Sequence, residues 1–210
     1  MSLASRYFSD MTHPDFPSVD LSLGFAGRLI LAMPHLDDSP FAQSVVLICS
    51  HDDDHAFGVI LNKPIRNLNV ADALSDMDIE GSEDVKDVPV FFGGPVDMER
   101  GAVIHSLDYR TDATLLIAEG IGLTATKDAL TVICQPSTAP RNFMLMMGHA
   151  GWAADQLDDE IRRNAWLSTL VTPDLVFGAP ENAWSEALGH LGISDVSRLS
   201  GAEDEVVRPN

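Results

Sequence analysis

Short apolar runs, each closed by glycine, proline or a cluster of acids, set the pattern of this chain. "GRLILAMP" (27–34) predicts a first strand that Pro34 stops. "FAQSVVLICS" (41–50) predicts a turn of helix feeding a buried, β-branched strand, and "AFGVILNKP" (56–64) predicts the next one. Between them, His51-Asp52-Asp53-Asp54-His55 has the length of a hairpin connection. Further strands are predicted in "VPVFFGGPV" (88–96), in "GAVIHS" (101–106), and twice in "ATLLIAEGIGLTAT" (113–126) around Gly120 and Gly122. "RNFMLMMGHAGW" (141–152) reads as a buried strand that ends in a glycine turn. "WLSTLVTPDLVFG" (166–178) reads as two strands about a Pro173-Asp174 turn.

The helical period appears in fewer places. Asn69 suits an N-cap, and Val70, Ala73, Leu74 and Met77 then share one face. Thr126 caps "KDALTVIC", with Asp128 in the first turn. In "AADQLDDEIRRNAWL" (153–167), Leu157 and Ile161 lie one turn apart, acids gather near the start and Arg162-Arg163 near the end. In "ENAWSEALGHLGI" (181–193), Trp184, Leu188 and Leu191 share a face and Gly192 ends the helix. Strands outnumber helices and do not alternate with them regularly. The expected fold is therefore a single α+β domain with a mixed or mostly antiparallel sheet flanked by helices. No repeat or linker divides it. The expected organisation is an N-terminal arm over 1–24, the α+β domain over 25–193 and an acidic C-terminal tail over 194–210.

Charge narrows the functional classes. The chain has 210 residues and a formal net charge of −19, from 32 acids against 13 bases. Such a surface repels a phosphate backbone, so direct binding to nucleic acid is not expected. No apolar run reaches the ~18 residues that span a bilayer. The first 25 residues lack a basic segment followed by a clean apolar run, so the expected location is the cytoplasm. The two cysteines, Cys49 and Cys134, lie far apart in apolar runs, as packed reduced thiols do.

Several groups of residues offer chemistry. Asn62, Lys63 and Arg66 in "LNKPIRN" place an amide and two cations beside a proline bend, a combination that holds carboxylate or phosphate. The turns with Gly93-Gly94 and with Gly148, His149, Gly151 and Trp152 permit backbone N–H groups to face an anion. Neither turn matches a dinucleotide or P-loop fingerprint, and "GHAG" lacks the serine of a nucleophile elbow. An alternative joins His35, Asp37 and Asp38 to His51 and Asp53 in a dinuclear metal site of the hydrolase type. Asp37 otherwise caps a short helix over 40–43. The acidic hairpin has neither the spaced ligands nor the glycine of a calcium loop. A second alternative makes Cys49 a thiol sensor, its pKa lowered by the nearby His51.

The ordered motifs "GRLILAMP", "FAQSVVLICS", "GVILNKP", "FFGGPV" and "GHAGWAADQLDDEIRRNAWL" resemble those of the YqgE/AlgH family, over most of residues 25–192. The resemblance implies an α+β domain whose sheet bends and splits into a pseudo-barrel, with helices outside. It implies no established enzymatic activity and no accepted catalytic residues. For some members it implies a regulatory role in alginate polysaccharide synthesis. The positions that match its motifs are Asn62, Lys63, Pro64, Gly93, Gly94, Pro95, Gly148, Gly151 and Trp152. His149 stands where the family commonly has tyrosine, and the His51–His55 hairpin is more acidic than is usual there. The resulting expectation is a cytoplasmic binding or regulatory protein rather than an enzyme, without a cofactor. It holds a small anionic ligand or a protein partner, and any transcriptional role runs through a protein intermediary.

Overall fold

The computed structural model describes residues 24–36, 39–76, 78–79, 82–194 and 199. The expected N-terminal arm and acidic tail therefore lie almost wholly outside the described residues, as do Asp37, Asp38 and Met77. The strands are β1 (Arg28–Ala32), β2 (Val45–His51), β3 (His55–Ile60), β4 (Pro64–Asn69) and β5 (Pro89–Phe92). They continue as β6 (Val96–Ser106), β7 (Leu115–Ala118), β8 (Ile121–Thr124), β9 (Phe143–Ala153) and β10 (Trp166–Leu170). The described α-helices are α1 (Val70–Ser75), α2 (Lys127–Ile133), α3 (Gln156–Arg162), α4 (Pro173–Phe177) and α5 (Ala183–His190).

The main path of the sheet is β10-β1-β2-β3-β9-β6-β8-β7, and β4 and β5 form a branch from β9. Every pairing is antiparallel except β5 with β9. The sheet is thus mixed and mostly antiparallel, as the strand pattern predicts, and it curls into a half-barrel, as the family resemblance implies.

Both faces of β1, β2 and β3 are covered, which explains why their apolar runs are continuous rather than alternating. On β1 and β2, Leu29, Leu31, Val45, Leu47 and Cys49 enter one core with α4 and α5. Ile30, Ala32, Val46 and Ile48, on the opposite face, enter a second core with Trp152, Leu157 and Trp166. A third core puts α1 and α2 against Val90, Val103, Leu145 and Met147. The two caps behave as their chemistry dictates. Asn69 accepts from the Asp72 N–H at 2.8 Å, and Thr126 accepts from the Ala129 N–H at 3.4 Å.

Five elements depart from expectation, the first being β4, a strand over Pro64–Asn69 that no apolar run announces. Residues 173–177 form α4, not a strand, because Thr172 caps the N-terminus and Pro173 is preorganised for the first turn. The helix expected over 153–167 is confined to Gln156–Arg162, since Asn164 turns to a φ of 57° and the chain re-enters the sheet at Trp166. Residues 40–43 form turns rather than a helix. β9 does not end in its glycine turn but runs through Gly148 to Ala153.

That passage through Gly148 is the organising feature of the fold. Residues 145–147 of β9 have β5 on one edge and β6 on the other. The connection from β5 to β6, Gly93-Gly94-Pro95, must therefore cross over β9. It does so at Gly148-His149, after which residues 150–153 of β9 pair with β3 instead. A Cβ on Gly93 would lie 2.2 Å from the Gly148 carbonyl oxygen, and a Cβ on Gly148 would lie 2.5 Å from the Gly94 oxygen. Two backbones cross here with no room for a side chain between them.

One buried polar network ties β6 to β8. His105 is fully buried; its Nε2 lies 2.8 Å from Thr124 Oγ1, and its Nδ1 lies 3.1 Å from the Ser106 carbonyl. A carbonyl only accepts, so Nδ1 carries the proton and the threonine hydroxyl donates to Nε2. Burial pushes the His105 pKa down, partly opposed by the Ser106 carbonyl and Asp108, and burial pushes His149 down as well. Folded pKa values below the unfolded value of about 6.5 make this stability complete above that pH and progressively lost as pH falls below it. Urea midpoints should therefore drop between about pH 7.5 and about pH 5.5, with a smaller drop in His105→Gln. An unchanged drop in that variant would place the acid sensitivity elsewhere.

Candidate functional site

Asn62 and Lys63 occupy the bend between β3 and β4, and both side chains reach back to the loop before β2. Asn62 Oδ1 accepts from the Val45 N–H at 2.9 Å, and its Nδ2 donates to the Gln43 carbonyl at 2.8 Å. The amide thus satisfies backbone groups that no strand pairs, at a loop where Gln43 takes a φ of 51°. Lys63 Nζ donates to the Pro40 carbonyl at 2.6 Å, while its own carbonyl accepts from the Phe92 N–H at 2.8 Å. The same loop is gripped from its other side by Phe41, stacked on Trp152 at 6.2 Å and edge-on to Trp166 at 5.5 Å.

Between this loop and the start of α5 lies a cleft of about 380 Å³. Its walls are Ala42, Gln43, Asn62 and Lys63 on one side and Pro180, Glu181, Trp184 and Ser185 on the other. The Trp184 indole N–H donates to the Ala32 carbonyl at 3.0 Å, which fixes the ring. Partial burial pushes the Lys63 pKa down from its ordinary value. One of its three N–H donors is taken by Pro40, leaving two for a ligand.

The other residues singled out from the sequence do not join this cleft. Arg66 is exposed on β4 and is not among the lining residues. Gly93, Gly94 and Gly148 do meet one another, but as a closed backbone crossing. The Gly93 N–H is spent on the Met147 carbonyl at 2.7 Å. His149 packs its ring 5.0 Å from Phe57, and Gly151 pairs with Phe57 across β3 and β9. Of the residues singled out from the sequence, Asn62 and Lys63 line this cleft, and the two glycine turns lie outside it.

The acidic hairpin closes on itself. Asp52 Oδ1 accepts from the Asp54 and His55 N–H groups, each at 2.9 Å, and these backbone donors hold its pKa below the usual carboxylate range. Asp53 sits exposed at the tip. Both His51 nitrogens are engaged: Nδ1 accepts from the Phe25 N–H at 2.9 Å, and Nε2 lies 3.0 Å from Asp158 Oδ2. The His51 and Asp53 pairing of the metal alternative is not assembled, and its Asp37 and Asp38 lie outside the described residues. Among the described residues no three His, Cys, Asp or Glu side chains group as a metal would need. Cys49 is fully buried and its thiol donates to the Leu47 carbonyl at 3.6 Å. Burial pushes its pKa far above the ordinary range, the opposite of what a thiolate sensor needs.

Trp152 has a structural task that its sequence position does not disclose. Its indole N–H and that of Trp166 both donate to Glu160 Oε2, at 2.9 and 2.8 Å. Gln156 donates to the other oxygen at 2.8 Å. Sequence reasoning missed Glu160 and the cleft residues Gln43, Glu181 and Trp184. The sole signal for the last is an aromatic on an otherwise ordinary amphipathic helix.

Comparison with known proteins agrees with the motif order. The AlgH-like family model matches residues 29–195. A UPF0301 protein of Methylobacterium nodulans is 43% identical over 176 residues, covering 80% of this chain and 83% of the relative. A UPF0301 protein of Caulobacter vibrioides is 38% identical over 170 residues, covering 80% and 87%. The solution structure of the AlgH protein from Pseudomonas aeruginosa superposes with a TM-score of 0.70 at 30% identity, covering 87% of this chain and 97% of that one. A crystal structure of a Corynebacterium diphtheriae protein shares the fold, with a TM-score of 0.63 at 19% identity. With its family model matched along most of its length, this chain belongs to the AlgH-like family.

Proposed function

We propose that this protein works by binding, not by catalysis, and that the Lys63–Trp184 cleft is where a small anionic ligand is held. The single observation that carries the reading is Lys63: a partly buried cation with spare donors, facing a fixed indole across a cleft of about 380 Å³. The residues around it supply hydrogen-bond donors and an apolar wall. A regulatory role follows if ligand binding alters how a protein partner sees this face. At a net charge of −19, a protein intermediary suits any transcriptional effect better than DNA contact does. Among the described residues no helix is long and apolar enough to cross a membrane, and a cytoplasmic site of action is part of the proposal.

A thermal-shift panel of carboxylated and phosphorylated metabolites tests this. The expected result is a rise in melting temperature that Lys63→Met abolishes, while that variant itself loses about 1 kcal/mol or less from the missing bond to Pro40. Stabilisation by Mn²⁺ or Zn²⁺ that Asp53→Ala removes would instead favour the hydrolase alternative.

A further inference from the structure

The cleft carries two opposite charges that do not neutralise each other. Lys63 and Glu181 both line it, and no ion pair joins either of them to any partner among the described residues. Lys63 donates to a neutral carbonyl, and Glu181 is exposed. A plain anion seated at Lys63 would feel Glu181 as a repulsive neighbour, and a dianion such as phosphate would feel it more strongly. A ligand that bears a cation as well turns this repulsion into a second contact. The remaining walls suit an apolar body. Ala42, Pro180 and the Trp184 ring are apolar, and the Trp184 N–H is already committed to Ala32. Ser185 Oγ donates to the Asn182 carbonyl at 2.9 Å and so presents lone pairs rather than a proton.

We propose that the cleft takes a small zwitterion, a free α-amino acid with an apolar side chain. Its carboxylate sits at Lys63, its ammonium at Glu181 and its side chain against Trp184 and Pro180. The inference rests on the reading of the cleft as an anion site and narrows it. The recognition logic is that of opposite charges on one cleft, so either charge alone on the ligand forfeits one contact and exposes one repulsion or one unpaired group.

The test uses the full chain labelled with ¹⁵N at tryptophan, reading the indole resonance of Trp184 assigned through Trp184→Phe. The standard free amino acids are titrated to millimolar concentration. For any that bind, the N-acetylated and carboxamide derivatives follow, with inorganic phosphate and acetate as simple anions. The expected result is that at least one apolar amino acid moves the Trp184 resonance and that blocking either charge weakens binding about tenfold. Glu181→Gln should erase the penalty for N-acetylation, and Lys63→Met should erase the penalty for the carboxamide. N-acetylated ligands that bind as tightly as free amino acids would overturn the zwitterion while leaving the anion site standing. So would simple anions that bind where no amino acid does. A Trp184 resonance unmoved by amino acids and simple anions alike overturns both.

Discussion

Gly94→Ala should destabilise the fold severely. A Cβ there would lie 2.2 Å from both the carbonyl carbon and the oxygen of His149 and 2.4 Å from the Ala150 nitrogen. Every one of these atoms is backbone, so no side chain can swing aside. Gly94 also takes a φ of +151°, which L residues rarely adopt. Relief would require β9 to move away from the β5–β6 connection, and β9 is held on both sides of the crossing, by β5 and β6 over residues 145–147 and by β3 over residues 150–153. The expected cost is about 4 kcal/mol or more, a large share of the about 5–15 kcal/mol that stabilises a typical domain. Gly189→Ala is the matched control. Gly189 lies inside α5, and a Cβ added there would meet nothing within 4 Å, so alanine should stabilise by about 0.5–1 kcal/mol. Urea denaturation of the two variants should therefore move in opposite directions. A Gly94→Ala midpoint close to that of the parent protein would show that the crossing has slack.

Glu160→Ala carries the second-largest effect. Its Oε2 is the acceptor for two indole N–H groups, and Trp152 and Trp166 are 5% and 3% exposed. Removing the carboxylate orphans both donors where little water can reach them, at about 1–3 kcal/mol each. Glu160→Gln keeps an acceptor oxygen and should cost clearly less. The damage should also spread. Phe41 packs on both tryptophans, and its loop forms one wall of the Lys63 cleft, so Glu160→Ala should weaken ligand binding without touching a lining residue. Denaturation curves with tryptophan fluorescence check the first effect. Equal stability losses for the alanine and glutamine variants would mean that packing, not the indole bonds, is what Glu160 provides.

What the sequence discloses is local. The strand runs, the caps at Asn69 and Thr126 and the hairpin position of His51–His55 all rest on interactions within a few residues, and the side chains alone imply them. "VTPDLVF" reads as a strand because its apolar, β-branched run outweighs the Thr-Pro signature of a helix start, yet the cap decides the outcome. The site is legible in half. Asn62 and Lys63 announce themselves beside a proline, but the opposite wall comes from residues 180–185, more than a hundred positions downstream, and no local pattern links the two. The glycines illustrate the converse. "GGP" and "GHAG" look like flexible turns open to an anion, and only the strand order shows that they lie on each other and fill the space themselves.

A hydrogen-exchange map of the full chain, with and without a saturating carboxylated or phosphorylated ligand from the thermal-shift panel, tests the binding account most directly. The account predicts added protection concentrated in residues 40–45, 61–64 and 180–185, the segments that frame the cleft, and none of it in Lys63→Met. Protection confined to residues 51–55 or to the Gly93–Gly148 crossing, or protection that survives Lys63→Met, would contradict it.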